Sequence, residues 1–289
     1  MSKDTSFKRH LTSDDPEMLE AIKDVRILLE NELKDNSDLY CAEDVQRVFD
    51  VDFEVRRFLY LTKFDPVQTV ELIKNRLKWR KETGFSEMKP DSFPSEFYEC
   101  GSVFEFKTDK DGHPVLYIRS KFNVKSETLS RPIRQFLLYN MDLIDQRLAK
   151  ERSWGMVFDG QGFTWQNIDF DFLHLIIKTL RNYMPWSIKY IIIYEIPRLL
   201  ESVWRGVQKF IPDDGKKLVK VRNKHTIGEF IDPSNIPKVI GGVSNEDFIK
   251  IPQGCKTCRE IGYTGNDMER IEKQFEKMII ADRNLLLKL

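Results

Sequence analysis

The chain has 289 residues, 41% of them hydrophobic and 32% charged, enough for a sizeable core beneath a solvated surface and too apolar for wholesale disorder. Lysines and arginines number 46, as do aspartates and glutamates, so the formal net charge is zero. That excludes a protein organised around a nucleic-acid backbone and leaves any charged partner to a local patch. No apolar run approaches the roughly 18 residues of a membrane span, and the start, MSKDTSFKRH, lacks the apolar stretch of a signal peptide.

The four cysteines, Cys41, Cys100, Cys255 and Cys258, are too scattered for a disulfide framework and fit a reducing, cytoplasmic setting. Cys255 and Cys258 form a lone CxxC with no second pair and no nearby histidine. They read as incidental thiols, and no metal site is assigned.

Asp15, Pro16 and Glu17 are a helix start: a capping acceptor, a pre-set backbone angle and an early acid. Ile22, Val25, Leu29 and Leu33 mark the buried face of this first helix. A second runs from about Asp52, burying Val55, Phe58 and Leu59, and a third opens at Asp65 and Pro66, burying Val70, Ile73 and Leu77 before ending at Gly84. The stretch Lys89 to Ser95, with Pro90 and Pro94, reads as a linker.

Beyond the linker the period changes to two. Val103 to Phe106 and Val115 to Arg119 form a hairpin through Asp111 and Gly112. Ile133, Phe136, Leu137, Asn140, Met141, Ile144 and Leu148 face one side of a long helix, Met156 to Asp159 is a short strand, and Leu173, Ile176, Ile177, Leu180 and Met184 mark a further helix. Tyr190 to Tyr194 reads as a strand covered on both faces. Next come an amphipathic helix with Leu199, Leu200, Val203, Trp204, Val207 and Phe210 on its apolar side, a strand over Lys217 to Val221, and a closing Pro237, Gly241 and Gly242. The tail from Asn266 carries Met268, Ile271, Phe275 and Met278 on one stripe of a last helix. The fold class is α/β: an N-terminal helical unit over 15–88, a mixed sheet flanked by helices over 96–245, and a helical extension over 246–289.

The reaction signatures fail in turn. There is no GxSxG elbow, no phosphate-cradling loop, no HExxH and no complete GxGxxG. Asp109, Asp111 and Gly112 hint at a calcium loop, but His113 stands where an acid belongs and no bidentate glutamate follows, so a hairpin turn is the better reading. The four histidines are not spaced as ligands. No enzymatic constellation remains. The aromatic residues around Phe158, Phe163, Trp165, Phe170 and Phe172 are either a packed core or the lining of a ligand cavity.

The order of motifs carries a resemblance. Arg57-Phe58-Leu59, Lys63-Phe64-Asp65 and Trp79-Arg80-Lys81, followed by DKDGHPVLYIR from Asp109, GMVFDGQGF from Gly155, YMPWSIKYIIIYEIP from Tyr183 and FIDPSNIPKVIGG from Phe230, resemble the CRAL-TRIO lipid-transfer family over roughly residues 40 to 245. The stretch SDLYCAEDVQRV from Ser37 is most similar to the CRAL-TRIO segment of motile-sperm-domain-containing proteins, which carry a further domain and a membrane anchor not visible up to Leu289.

The resemblance implies a non-enzymatic, cytoplasmic lipid-transfer protein, peripherally and transiently bound to membranes, that holds one lipid and no cofactor. The expected ligand is a phospholipid, a sterol or an isoprenoid. The sheet would floor an apolar pocket of several hundred Å³, lined by Tyr117, Phe158, Phe172, Ile176 and Leu180 with Tyr183, Ile191 and Ile193. Thr164 would add a hydroxyl. Leu199, Leu200, Val203, Trp204, Val207 and Phe210 would form a movable gate. Family members that bind phosphatidylinositol pair a glutamate with a lysine at the headgroup; here Trp186 stands at the acid's position and Lys217 matches the lysine, so the two become headgroup or membrane-docking residues. The competing expectation is an interaction scaffold with a collapsed pocket, acting through the C-terminal amphipathic helix.

Overall fold

The computed structural model describes residues 15–147, 153–197 and 201–288. Two compact units are present, each with its own core. The first comprises the described residues up to Glu87 together with 181–186. It contains helices α1 (Pro16–Asn36), α2 (Ala42–Asp50), α3 (Asp52–Thr62) and α4 (Pro66–Thr83).

The caps act as the sequence dictates. Asp15 accepts from the Glu17 N–H and Asp65 from the Gln68 N–H, with prolines next in line, and Gly84 closes α4 in the left-handed region at φ 78°. Met18, Ile22, Val25 and Leu29 of α1 meet Val55, Phe58 and Leu59 of α3 and Val70, Ile73 and Leu77 of α4 in a sealed core. Helix α2 is an element the apolar period did not single out; it is nine residues long, buries only Val48 and Asp44, and starts at Cys41 without a side-chain cap.

The same unit buries charge. Glu54, 2% exposed, faces Arg47 at 2.8 Å, Arg76 at 3.1 Å and Arg57 at 3.4 Å. Those arginines also hold segment 181–186: Arg57 Nε donates to the Pro185 carbonyl and Arg76 Nη1 to that of Tyr183, while the Trp79 and Tyr183 rings stack 4.1 Å apart. Much of the Arg57 and Trp79 motif chemistry is thus spent on anchoring this segment.

The second unit begins at Met88. Its opening stretch folds into a turn at Pro90–Ser92 and helix α5 (Ser95–Glu99) where the sequence reads as linker. A five-stranded sheet follows in the spatial order β1 (Val103–Thr108), β2 (Pro114–Arg119), β3 (Trp154–Asp159), β4 (Ile188–Tyr194) and β5 (Val219–Arg222). The β1–β2 pair is antiparallel and the rest parallel, with α6 (Ser130–Gln146), α7 (Phe170–Lys178), and α8 (Glu201–Val207) with α9 (Asp213–Lys216) lying between successive parallel strands in the chain. Helix α10 (Cys258–Ile261) precedes α11 (Met268–Lys288), which packs within this unit by burying Met268, Ile271 and Phe275.

The two sheet faces differ. On one, Val115, Tyr117, Val157, Tyr190, Ile192 and Tyr194 interlock with Ile227, Ile231, Ile236, Val239 and Ile240. The closing glycines serve this layer: Gly241 takes φ 98°, and a Cβ on Gly242 would sit 2.0 Å from the Ile236 carbonyl oxygen. The other face buries Leu116 and Met156 and leaves a cavity beside them.

Candidate functional site: an apolar cavity on the sheet

On this face lies a cavity of about 180 Å³. Ile118, Phe158 and Ile193 form its floor from three adjacent strands. Ile133 and Phe136 of α6, Phe170, Phe172, Leu173 and Ile176 of α7, Trp204 and Val207 of α8, and Phe275 of α11 wall it, with Phe97 of α5 and Phe122 and Phe163 from connecting segments. It is smaller than the several hundred Å³ expected.

Of the residues named from sequence, Phe158, Phe172, Ile176, Ile193, Trp204 and Val207 come together around this cavity. Others do not. Tyr117 faces the opposite, sealed layer, fully buried and with its ring stacked on Phe104; strand alternation puts Ile118 on the cavity side instead. Ile191 sits outside the lining. Leu180 lies beyond the end of α7 in a π-turn, Thr179–Tyr183, whose wider winding breaks the 3.6-residue period on which it was placed. Tyr183 belongs to the first unit.

Thr164 caps a short turn instead of facing the cavity: its hydroxyl and N–H are both spent on Asn167 Oδ1, at 2.9 and 2.8 Å. Phe210 is 69% exposed, because the chain leaves α-helical winding at Val207 for a tighter turn over Gln208–Phe210. Leu199 and Leu200 lie outside the described residues, as do Leu148 and the side chain of Val203. Trp186 belongs to the first unit at φ 62°, 49% exposed, with its ring 5.1 Å from that of Tyr60. Lys217 is exposed and follows α9 ahead of β5, so the strand begins two residues later than expected.

Sequence reasoning missed a charged cluster at the cavity edge. Arg119, at the end of β2, borders the cavity with its guanidinium buried. Its Nη1 donates to the Cys100 carbonyl at 3.1 Å and its Nη2 to Asp282 of α11 at 2.7 Å. Lys121 Nζ reaches the other Asp282 oxygen at 2.6 Å. Asp159, at the end of β3, stands 3.7 Å from Arg119 Nε. Burial pushes the Asp159 carboxyl up to about 6, and burial together with Arg119 lowers the Lys121 ammonium. The ends of β2 and β3, the turn after β2 and helix α11 bring these residues together from distant parts of the chain, so no local pattern signals them.

The hairpin turn is a turn. Asp109 Oδ1 accepts the N–H groups of Asp111 and His113, and Asp111 pairs with Lys189. Burial holds the Cys258 thiol up near 12 and raises that of Cys255, a poor setting for thiolate chemistry. Among the described residues no helix is long and apolar enough to cross a membrane.

Residues 98–242, half of the chain, match the CRAL/TRIO domain. The chain is 25% identical over 213 residues to the CRAL-TRIO domain-containing protein C3H8.02 of Schizosaccharomyces pombe, an alignment covering 70% of this chain and 48% of that protein. It is 25% identical over 210 residues to the phosphatidylinositol/phosphatidylcholine transfer protein SFH9 of Arabidopsis thaliana, covering 64% of this chain and 36% of that one. It therefore spans half or less of the length of these two relatives. The crystal structure of Sfh5 shares the fold, with a TM-score of 0.60 at 15% identity over 92% of this chain and 100% of that one. A helix-flanked sheet with one face open to an apolar cavity, and a sequence match over half its length, identify this chain as a member of the CRAL/TRIO domain family.

Proposed function

We propose that this protein binds one hydrophobic lipid in the cavity over the β2–β4 face and carries it between membranes, with α8 as the moving wall. The observation that carries this reading is the cavity itself: it is lined almost wholly by apolar side chains, and two of them, Trp204 and Val207, belong to the short helix α8. At about 180 Å³ it is below the roughly 300–1,000 Å³ of ordinary ligand sites. A two-chain lipid therefore needs a wall to move.

The energetics favour exchange at a bilayer. A two-chain lipid has on the order of 30 methylenes, each worth about 0.8 kcal/mol away from water, which prohibits release into solution. Between cavity and bilayer the chains only change one apolar setting for another. Function then lies in docking and opening, without bond chemistry. Transient docking of the second unit at a cytoplasmic membrane surface would use the exposed Phe210 and the exposed Lys217 as a charge toward anionic lipid. The likeness to the segment found in motile-sperm-domain-containing proteins is part of the same reading.

Phospholipid is the first ligand to test, since a relative is named as a phosphatidylinositol/phosphatidylcholine transfer protein. Because the sequence departs at Trp186 from the acid expected of phosphatidylinositol binders, a sterol and an isoprenoid are tested beside phosphatidylinositol. The scaffold alternative is disfavoured because α11 spends Met268, Ile271 and Phe275 within its own unit.

The test is fluorescent-lipid transfer between liposomes. Val207, 9% exposed, becomes an unpaired charge against the cavity in Val207→Asp, at a cost of several kcal/mol, and transfer should fall at least tenfold. Wild-type transfer by a folded Val207→Asp protein would refute the role of α8.

A further inference from the structure

Helix α11 is unequal along its length. Its first half carries the buried stripe Met268, Ile271 and Phe275, and Phe275 reaches the cavity wall, where its ring meets that of Phe122 at 6.1 Å. The helix also runs close to the turn at Lys238–Ile240. Past Phe275, however, no side chain over 276–284 is buried. Among the described residues, the side-chain hydrogen bonds and ion pairs of this second half come from Asp282 alone, which accepts from Arg119 Nη2 at 2.7 Å and from Lys121 Nζ at 2.6 Å. Arg119 borders the cavity, so one carboxylate fastens the end of the helix at the cavity edge.

The residues around this clasp suit a second environment. Met278 and Ile279 are half-buried and Ile280 is 47% exposed, Lys277 and Arg283 are exposed, and Asp282 is the only acid after Glu276. An apolar run with cations beside it matches the boundary of an anionic bilayer. In water, lifting this half would bare the apolar wall behind Phe275 and break two charge-assisted bonds, so the closed state holds. At a bilayer the apolar residues find an apolar phase and the cations find headgroups. Opening also lets water and lipid phosphate reach Arg119 and Lys121, so neither charge stays buried without a counter-charge.

We propose that the second half of α11 is a latch on the cavity, closed by Asp282 on Arg119 and Lys121 and released when Ile280 and its neighbours enter an anionic bilayer. Release draws Phe275 from the wall and enlarges a cavity of about 180 Å³ where lipid can be exchanged. This rests on the reading of the cavity as the lipid site and adds how that site is kept shut in water.

The experiment is fluorescent-lipid transfer between phosphatidylcholine vesicles, with and without phosphatidylserine, by the full chain as wild type, Asp282→Asn, Ile280→Asp and Gly242→Ala. With its latch loosened, Asp282→Asn should transfer faster than wild type between phosphatidylcholine vesicles, by about threefold or more. Ile280→Asp changes an exposed side chain, so its melting temperature should stay at the wild-type value while transfer between phosphatidylserine-containing vesicles falls by about threefold or more. Gly242→Ala strains the sealed face of the sheet and should leave transfer unchanged; acceleration equal to that of Asp282→Asn would trace the effect to general loosening and overturn the latch. Asp282→Asn no faster than wild type, or folded Ile280→Asp at the wild-type rate, overturns it as well, and the second result decides alone if Asp282→Asn does not fold. A wild type that carries no lipid between vesicles of either kind defeats the cavity reading itself, and the latch with it.

Discussion

Removing the Asp282 carboxylate tests how α11 is held. This one side chain bridges Arg119 at 2.7 Å and Lys121 at 2.6 Å, with side-chain exposures of 16%, 2% and 15% for the three residues. Coulomb attraction at these separations is large, but most of it is offset by the desolvation the pair undergoes on folding. What counts in Asp282→Ala is the charge left behind. Arg119 stays buried with only the distant Asp159 as counter-charge, and Lys121 is left with the same distant carboxylate. Breaking a buried pair costs about 3–5 kcal/mol, and partial exposure of Lys121 and Asp282 places this case at the lower end, about 3 kcal/mol. For a unit of this size that lowers Tm by about 6–12 °C. Calorimetry or circular dichroism on Asp282→Ala, with exposed Arg283→Ala as control, reads it. A shift within about 1 °C of the wild type would show that the bridge contributes nothing and that α11 is held by its apolar stripe alone.

Three further outcomes are expected. Asp159 has a folded pKa of about 6, above its unfolded value, so it binds protons more readily folded: its effect favours folding at low pH and is lost as pH rises through 6. Asp159→Asn should therefore be more stable than the wild type above pH 6, by up to about 3 kcal/mol, with the gap closing toward pH 4; a gap that widens on acidification would contradict this. In the first unit, Glu54→Gln removes the charge facing Arg47, Arg57 and Arg76 and should cost about 3 kcal/mol in urea unfolding; an unchanged midpoint would mean that the arginines are compensated elsewhere. Gly242→Ala forces a Cβ against the Ile236 carbonyl oxygen and should cost about 3 kcal/mol, which a wild-type Tm would refute.

Where backbone chemistry is local, sequence alone is informative. Asp15 with Pro16, Asp65 with Pro66, and Gly84 each announce a helix end because the capping group sits within three residues of what it caps. The alternating hairpin and the apolar strands are legible for the same reason. Which face of a strand meets the cavity is not, since β2 reads VLYI without a polar position to mark a side. Tyr117 and Ile118 are equally apolar choices, and only the layers laid on either face decide between them. The π-turn after Lys178 shifts Leu180 off its period without any glycine or proline to signal it. Arg119 and Asp282 are 163 residues apart, and nothing near either one predicts the other.

Segment 181–186 lies in the chain between α7 and β4, yet it is packed as part of the helical unit, held by Arg57, Arg76 and Trp79. Modularity is limited as a result. A gene cut after residue 87 does not separate two self-sufficient pieces: one fragment lacks the peptide that completes its packing, and the other retains Tyr183, Met184 and Trp186 stripped of their neighbours. Exchange of the helical unit between relatives by recombination must carry both halves of this seam or find compatible ones. Substitutions in the tryptophan-containing helix and in the tyrosine-to-tryptophan peptide should therefore be inherited as pairs, although a hundred residues separate them.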